Sequence, residues 1–281
     1  MAPLDTGFPA SDARDDFSRA RRQHVLSALA ARLRREPGDV HLVLPFEEVV
    51  EALGRVSERS LGVRTIPLDS IVGTVGRTRE FDRSFRPTSN RTRQRWERIA
   101  DAQRRGEAMP PIDVYRIGDV HFVRDGHHRV SVARAQGRED IDAHVTEVTT
   151  RVPIDRGTSL RDLPLKSHER LFRERVPLSD AEFREVRPSD PWDYGSLAEG
   201  VEAWGFRHMQ GRRELLSREE IAHVWLEDEF HPVVAMLREA GLIGKGTAAD
   251  AYMRVAAERY RLMRTHEWSD DVIARLQREL G

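Results

Sequence analysis

The residues best equipped for chemistry lie together in Asp125-Gly126-His127-His128-Arg129, with Ser131 one turn further on. Upstream, Val120 and Phe122 alternate with polar residues as far as Arg124 and read as a half-buried strand. Downstream, Val130, Ala133 and Ala135 recur at helical spacing until Gly137. The five residues therefore make a polar corner at a helix N-terminus, where the first backbone N–H groups have no intrahelical partner and the peptide dipoles favour negative charge. A phosphate suits such a place if a small residue lets it approach, and Gly126 is that residue. His127, His128 and Arg129 add donors and positive charge, and Ser131 adds a hydroxyl. Asp125 is the only acid in the corner, placed to hold Mg²⁺ or to accept a proton. The plain alternative is a polar turn in which Arg129 pairs with Asp125 or Asp142 for structural reasons.

A second group of candidates lies between Gly73 and Pro87, where Arg77, Arg79, Asp82, Arg83 and Arg86 leave too many polar positions for a packed element. This stretch reads as a loop able to close over a phosphate, with Arg77, Arg79 and Arg83 suited to bidentate contacts. From Arg77 to Arg105 ten arginines face four acids, Glu80, Asp82, Glu97 and Asp101, an excess that also suits nucleic acid. A solvated basic surface explains the same excess. Further on, His223, Glu227 and His231 recur every four residues and could share one helix face, either as metal ligands or as a charged stripe. Trp192, Trp204, Trp225 and Trp268 read as core anchors.

The elements that must position these residues follow from periodicity. A helix from Ser11 or Asp12 to about Arg35 carries Phe17, Ala20, His24, Leu26, Leu29 and Leu33 as an apolar stripe, and Pro37-Gly38 ends it. A short helix runs from Pro45 to Leu53. Together these two suggest an N-terminal helical arm over residues 1–60. Val63 to Val72, with Pro67 inside it, reads as an edge strand and turn. A helix follows from Arg91 to Gly106, then a strand Ile112 to Ile117, a tight Gly118-Asp119 turn, the strand into the corner, the helix His127 to Gln136 and a strand Ile141 to Val148. This is an α+β domain over 61–150. Pro153, Gly157 and Pro164 mark a linker. Residues 151–281 read as a helical domain with segments Ser179 to Val186, Tyr194 to Met209, Ser217 to Ala240, Thr247 to His266 and Asp270 to Leu280.

Composition bounds the chemistry. The 281 residues suffice for roughly two domains. With 39% hydrophobic and 33% charged residues and a formal net charge of −1, the whole chain carries no basic footprint. The absence of cysteine removes disulfides, thiolate metal sites and cysteine nucleophiles. No run approaches the roughly 20 apolar residues of a membrane helix, and the first ten residues lack a signal-peptide layout, so a cytoplasmic address without a membrane partner is expected.

Four motifs in order carry a resemblance: Ile66-Pro67-Leu68-Asp69-Ser70-Ile71, Pro110-Pro111-Ile112-Asp113-Val114, Phe122-Val123-Arg124-Asp125-Gly126-His127-His128-Arg129 and Ile141-Asp142-Ala143-His144-Val145. Together they resemble the ParB/sulfiredoxin-like domain, and most of all the bacterial ParB-like proteins with an Asp-Gly-His/Asn-His-Arg corner. The resemblance implies a small mixed sheet with helices on its faces, flanked here by N-terminal helices and an all-α C-terminal domain. It also implies a nucleotide, ATP, ADP or CTP, with its phosphates at the corner, usually with Mg²⁺. Sulfiredoxin chemistry requires a cysteine where His127 stands, and is excluded. ParB partition proteins carry a Gly-Glu-Arg-Arg corner and a helix-turn-helix that this chain does not clearly repeat. The free serine kinases of the fold share the Asp-Gly-His type of corner, which implies nucleotide hydrolysis or phosphoryl transfer to a small molecule, with Asp125 and His128 as the catalytic pair. The ParB branch keeps open a DNA-binding or transcription-regulatory role with nucleotide as a switch, and with it a homodimer.

Overall fold

The computed structural model describes residues 6–35 and 42–263, with 271, 274, 275 and 278 beyond them. The expected last helix, Asp270 to Leu280, falls largely outside the described residues, as do Trp268 and the end of the Thr247 to His266 segment. The chain is α+β, and it divides into two compact units, Met1–Ser167 and His168–Gly281, the division falling within one helix. No helix among the described residues is long and apolar enough to cross a membrane.

In chain order the first unit contains α1 (Pro9–Leu33), β1 (Leu44–Pro45), α2 (Phe46–Leu53), β2 (Arg55–Pro67), β3 (Ile71–Thr74), α3 (Arg93–Arg104), β4 (Ile112–Ile117), β5 (Val120–Asp125), α4 (His127–Ala135) and β6 (Asp140–Thr150). One six-stranded mixed sheet runs in the order β1-β3-β5-β4-β6-β2. β5 lies inside it, parallel to β3 and antiparallel to β4, to which the Gly118-Asp119 turn joins it. Its residues Val120 to Val123 are all buried, and because successive strand residues point to opposite faces they feed two apolar layers. Phe122 packs with Phe46, Val49 and Leu53 of α2 on one face; Val123 packs with Val130 and Ala133 of α4 on the other. Gly73 lets β1, β3 and β5 come together, since a Cβ there would lie 2.1 Å from Phe122 Cδ1 and 2.7 Å from the Leu44 carbonyl oxygen.

Residues 1–60 do not stand apart as an arm. β1 and the first half of β2 are strands of the sheet, and α2 covers one of its faces. The edge strand expected from Val63 begins at Arg55 and pairs only with β6. Its thirteen residues are almost all exposed and rich in charge, as an edge that must avoid pairing with other chains tends to be, and so they lack the alternation that marks a half-buried strand. Gly73 and Thr74, read as the start of the loop, belong to β3.

α1 packs on α3 through its first half, and His24 and Ser27 of its second half meet the loop at Asp82 and Arg86. Phe17 meets Trp96 of α3 edge-on, with ring centroids 5.5 Å apart, and Arg104 of α3 reaches the buried Asp16 at 2.6 Å. Leu26, Leu29 and Leu33, expected on the inner stripe, are exposed.

The second unit holds the rest of α5 (Asp162–Arg175), then α6 (Asp180–Glu185), α7 (Tyr194–Arg212), α8 (Arg218–Trp225), α9 (His231–Glu239) and α10 (Ala248–Met263), around a core that includes Phe172, Tyr194, Trp225 and Phe230. Pro164, expected in a linker, sits in the first turn of α5, where a missing N–H costs nothing. The single helix expected over Ser217 to Ala240 is two, joined by a π-helical turn at Leu226–Phe230. Pro232 has no N–H to continue the ladder, and the wider turn accommodates the lost bond. Trp225 is fully buried, whereas Trp192, expected in the core, is exposed against the ring of His168.

Candidate functional site at the strand–helix corner

The corner forms where the sequence places it. β5 ends at Asp125, Gly126 turns the chain with φ +95°, and α4 starts at His127. A Cβ at Gly126 would lie 2.4 Å from Ile112 Cγ2, so the position demands glycine for its backbone conformation and for its closeness to β4.

Arg129, Ser131 and His127 each find a partner far away in the chain. Arg129 donates to the carbonyl oxygens of Pro110 and Pro111 and, at 2.8 Å, to Asp125. It ties the corner to the segment before β4, and its pairing with Asp125 is the structural alternative the spacing allowed; Asp142 instead accepts from Thr65 of β2. The Asp125 carboxylate is otherwise 61% exposed. Ser131 is buried and accepts the Trp96 indole N–H at 2.8 Å, which fixes α4 against α3. The His127 Nε2 lies 2.6 Å from the Thr74 hydroxyl at the end of β3, and its ring stacks near Phe81 and Phe85. Burial holds His127 down to about 4, and the positive charge of Arg77 adds to the effect.

His128 differs from the others. It is 5% exposed, its ring meets Phe81 edge-on at 5.4 Å, and its Nδ1 has no hydrogen-bond partner. Burial, and then Arg95, lower its pKa to about 4, so it is a neutral imidazole at pH 7. A buried polar nitrogen without a partner carries a desolvation cost of about 1–3 kcal/mol, which a ligand able to reach it would offset.

The three loop arginines do not act together. Arg77 stands by His127 and His128 and pairs with Glu80 at 3.1 Å. Arg79 lines a separate cavity of about 520 Å³ that also holds His24 and Asp82. Arg83 turns away and donates to the carbonyl oxygens of Arg156 and Thr158. The structure thus brings Asp125, Gly126, His127, His128, Arg129 and Arg77 to one place and separates Arg79, Arg83 and Ser131 from it.

The sequence places Asp82 in the loop but does not reveal that it holds the loop together. Asp82, 5% exposed, accepts from the backbone N–H groups of Ser84 and Arg86, from the Arg86 guanidinium and from His24 Nδ1 at 2.9 Å. An acid followed at two and four residues by a tight return of the chain is an Asx-type turn, the one local signal available for it. Thr74 gives no such signal; the helical spacing of Trp96 and Ala100 marks the inner face of α3 but not the bond to Ser131. In the second unit His223 lies beside Glu182, and His231 beside Glu185 and Glu227. Among the described residues no three His, Asp or Glu side chains gather as metal ligands.

Comparison of the chain with protein-family models, with curated proteins and with solved structures finds no match. The class defined by fold and site is an α+β protein with a glycine-turned polar corner between an inner strand and a helix packed on the sheet.

Proposed function

We propose that the chain is a ParB-like nucleotide-binding protein that takes ATP, ADP or CTP with Mg²⁺ at this corner and hydrolyses it or passes a phosphoryl group to a small molecule. The observation that carries the reading is His128, a buried imidazole with an unpartnered Nδ1 in the first turn of a helix. There, free backbone N–H groups and the helix dipole favour an anion. Arg77 supplies positive charge beside it, and the exposed Asp125 is the carboxylate available to Mg²⁺, sharing its charge with Arg129. A neutral His128 in the Nδ1–H tautomer donates a hydrogen bond to a phosphate oxygen without bringing charge of its own. The four-motif resemblance supports the same reading through the mixed sheet it implies.

Titration calorimetry with ATP, ADP and CTP, with and without Mg²⁺, tests it. Binding is expected for at least one nucleotide, with a loss of roughly tenfold or more on His128→Ala or Arg77→Ala and a reduced response to Mg²⁺ on Asp125→Asn. Absence of binding, or affinity indifferent to all three changes, would sink the reading. Because a bound phosphate raises the pKa of His128 from about 4, affinity should strengthen as pH falls from 7 towards 5.

A second reading rests on α3, whose Arg95 and Arg98, with Arg91 just before it, are exposed and make no ion pair among the described residues. Such a row could neutralise DNA phosphates, the corner then serving as a switch. Duplex affinity measured over a salt series decides: a phosphate-neutralising surface requires affinity that falls as salt rises.

A further inference from the structure

At the other end of α4 from the corner, a cavity of about 740 Å³ opens between α1, the turn before β3 and the 83–86 turn. Arg83, Arg86, Arg134 and Arg156 line it, against a single carboxylate, Asp69. The partners of these arginines decide what the cavity can hold. Arg86 is neutralised by Asp82 at 2.9 Å, and Arg156 lies 3.9 Å from Asp119. Arg83 and Arg134 are held by carbonyl oxygens instead: Arg83 by those of residues 156 and 158, Arg134 by those of Leu68, Ile71 and Arg83. A carbonyl orients a guanidinium without cancelling its charge. Burial lowers the pKa of both side chains, Arg134 to about 10 even with Asp69 and Asp82 pulling it upward, and the Arg134 Nε is buried without a partner. Two fixed cations with no ion-pair partner at the wall of a cavity make a preorganised anion site, since their orientation is already set before a ligand arrives. Leu26, Ile71 and Ala135 supply an apolar part of the wall, and the Ser84 hydroxyl is a further polar group in it.

We propose that this cavity binds a small organic dianion, a phosphomonoester or dicarboxylate with a compact apolar body, at a site separate from the corner. The anion sits against Arg83 and Arg134, and the body lies on the apolar wall.

The full chain titrated by calorimetry with phenyl phosphate, succinate and inorganic phosphate tests the proposal and tells the two anion types apart. At least one organic dianion should bind more tightly than inorganic phosphate. Arg83→Gln should weaken it by roughly tenfold or more, since a hydrogen-bonded charge pair is lost. Asp69→Asn should tighten it by roughly two- to fivefold, because the one opposing carboxylate is removed from an exposed position. A purely structural arginine cluster has no reason to give this opposite pair of effects, and neither substitution touches a packed core. Thermal melts confirm that the variants fold. No binding of either organic dianion, or binding unmoved by both substitutions, overturns the proposal. His128→Ala should leave this binding unchanged while weakening nucleotide binding, so the two sites fail or stand independently; loss of dianion binding in His128→Ala would place the ligand at the corner and overturn the separate site.

Discussion

Gly126 shows how much one position asks of its residue. Its φ of +95° lies where side chains with a Cβ are strained, and Ile112 occupies the space a methyl group would need. Gly126→Ala should therefore cost about 1–3 kcal/mol for the backbone alone, with more for displacing Ile112, and denaturant titration should show the midpoint falling accordingly. An unchanged midpoint would mean that the turn can be made another way. The glycine is legible in the sequence because a local rule governs it: a strand pattern becomes a helical one across a single flexible residue. The partners of its neighbours are not legible, because Thr74, Trp96 and Pro110 reach His127, Ser131 and Arg129 from distant positions in the chain, and only the sheet brings them there. Residue types thus mark where the corner is, while the topology decides that Ser131 braces α3 and that His128 is left with a nitrogen to satisfy.

At the scale of elements, α1 is held to the sheet domain by charge as much as by apolar packing. Asp16 is wholly buried in α1, and Arg104 of α3 donates to it through both Nε and Nη2, while Arg19 stays 3.3 Å from its other oxygen. Arg104→Met removes the main partner of a buried carboxylate. The expected cost is about 3 kcal/mol, the low end for a broken buried pair because Arg19 remains, and hydrogen exchange should quicken along residues 9–20 before it does in β5. If α1 keeps its protection, the apolar contacts of Ala13 and Phe17 and the loop contacts of His24 and Ser27 suffice to hold it. The same scale explains the misread elements. The 3.6-residue period of α1 implies burial along its whole length, yet Leu26 and Leu33 are apolar without being core. The start of β2 is hidden for the opposite reason: an edge strand needs backbone partners and not apolar side chains, and Arg55 to Leu61 offer no alternation to detect.

At the scale of the whole molecule, the first unit carries a sensitivity to acid that follows from its buried histidines. His121, His127 and His128 all lie in it, each held down to about 4, chiefly by burial. In the unfolded chain each titrates near 6.5, so between pH 6.5 and 4 the unfolded state binds protons that the folded state refuses. The stability these groups allow is fully present above pH 6.5 and is lost as pH falls towards 4. Each unit of pKa difference corresponds to about 1.4 kcal/mol, so His121 and His127 account for up to about 3 kcal/mol each over that window, and the more solvent-screened His128 for less. Together they are a large part of the roughly 5–15 kcal/mol that stabilises an ordinary domain, so the first unit should lose stability steeply as pH falls from 6.5 towards 4. Hydrogen exchange on the full chain at pH 7 and pH 4.5, corrected for intrinsic rates, should show β3, β5 and α4 losing protection at the lower pH. Retained protection there, or stability that falls as pH rises through 6.5, would contradict it. A dianion bound at the arginine-lined cavity adds a check, since a ligand that binds only the folded unit must shift the acid midpoint downward in proportion to the logarithm of its concentration.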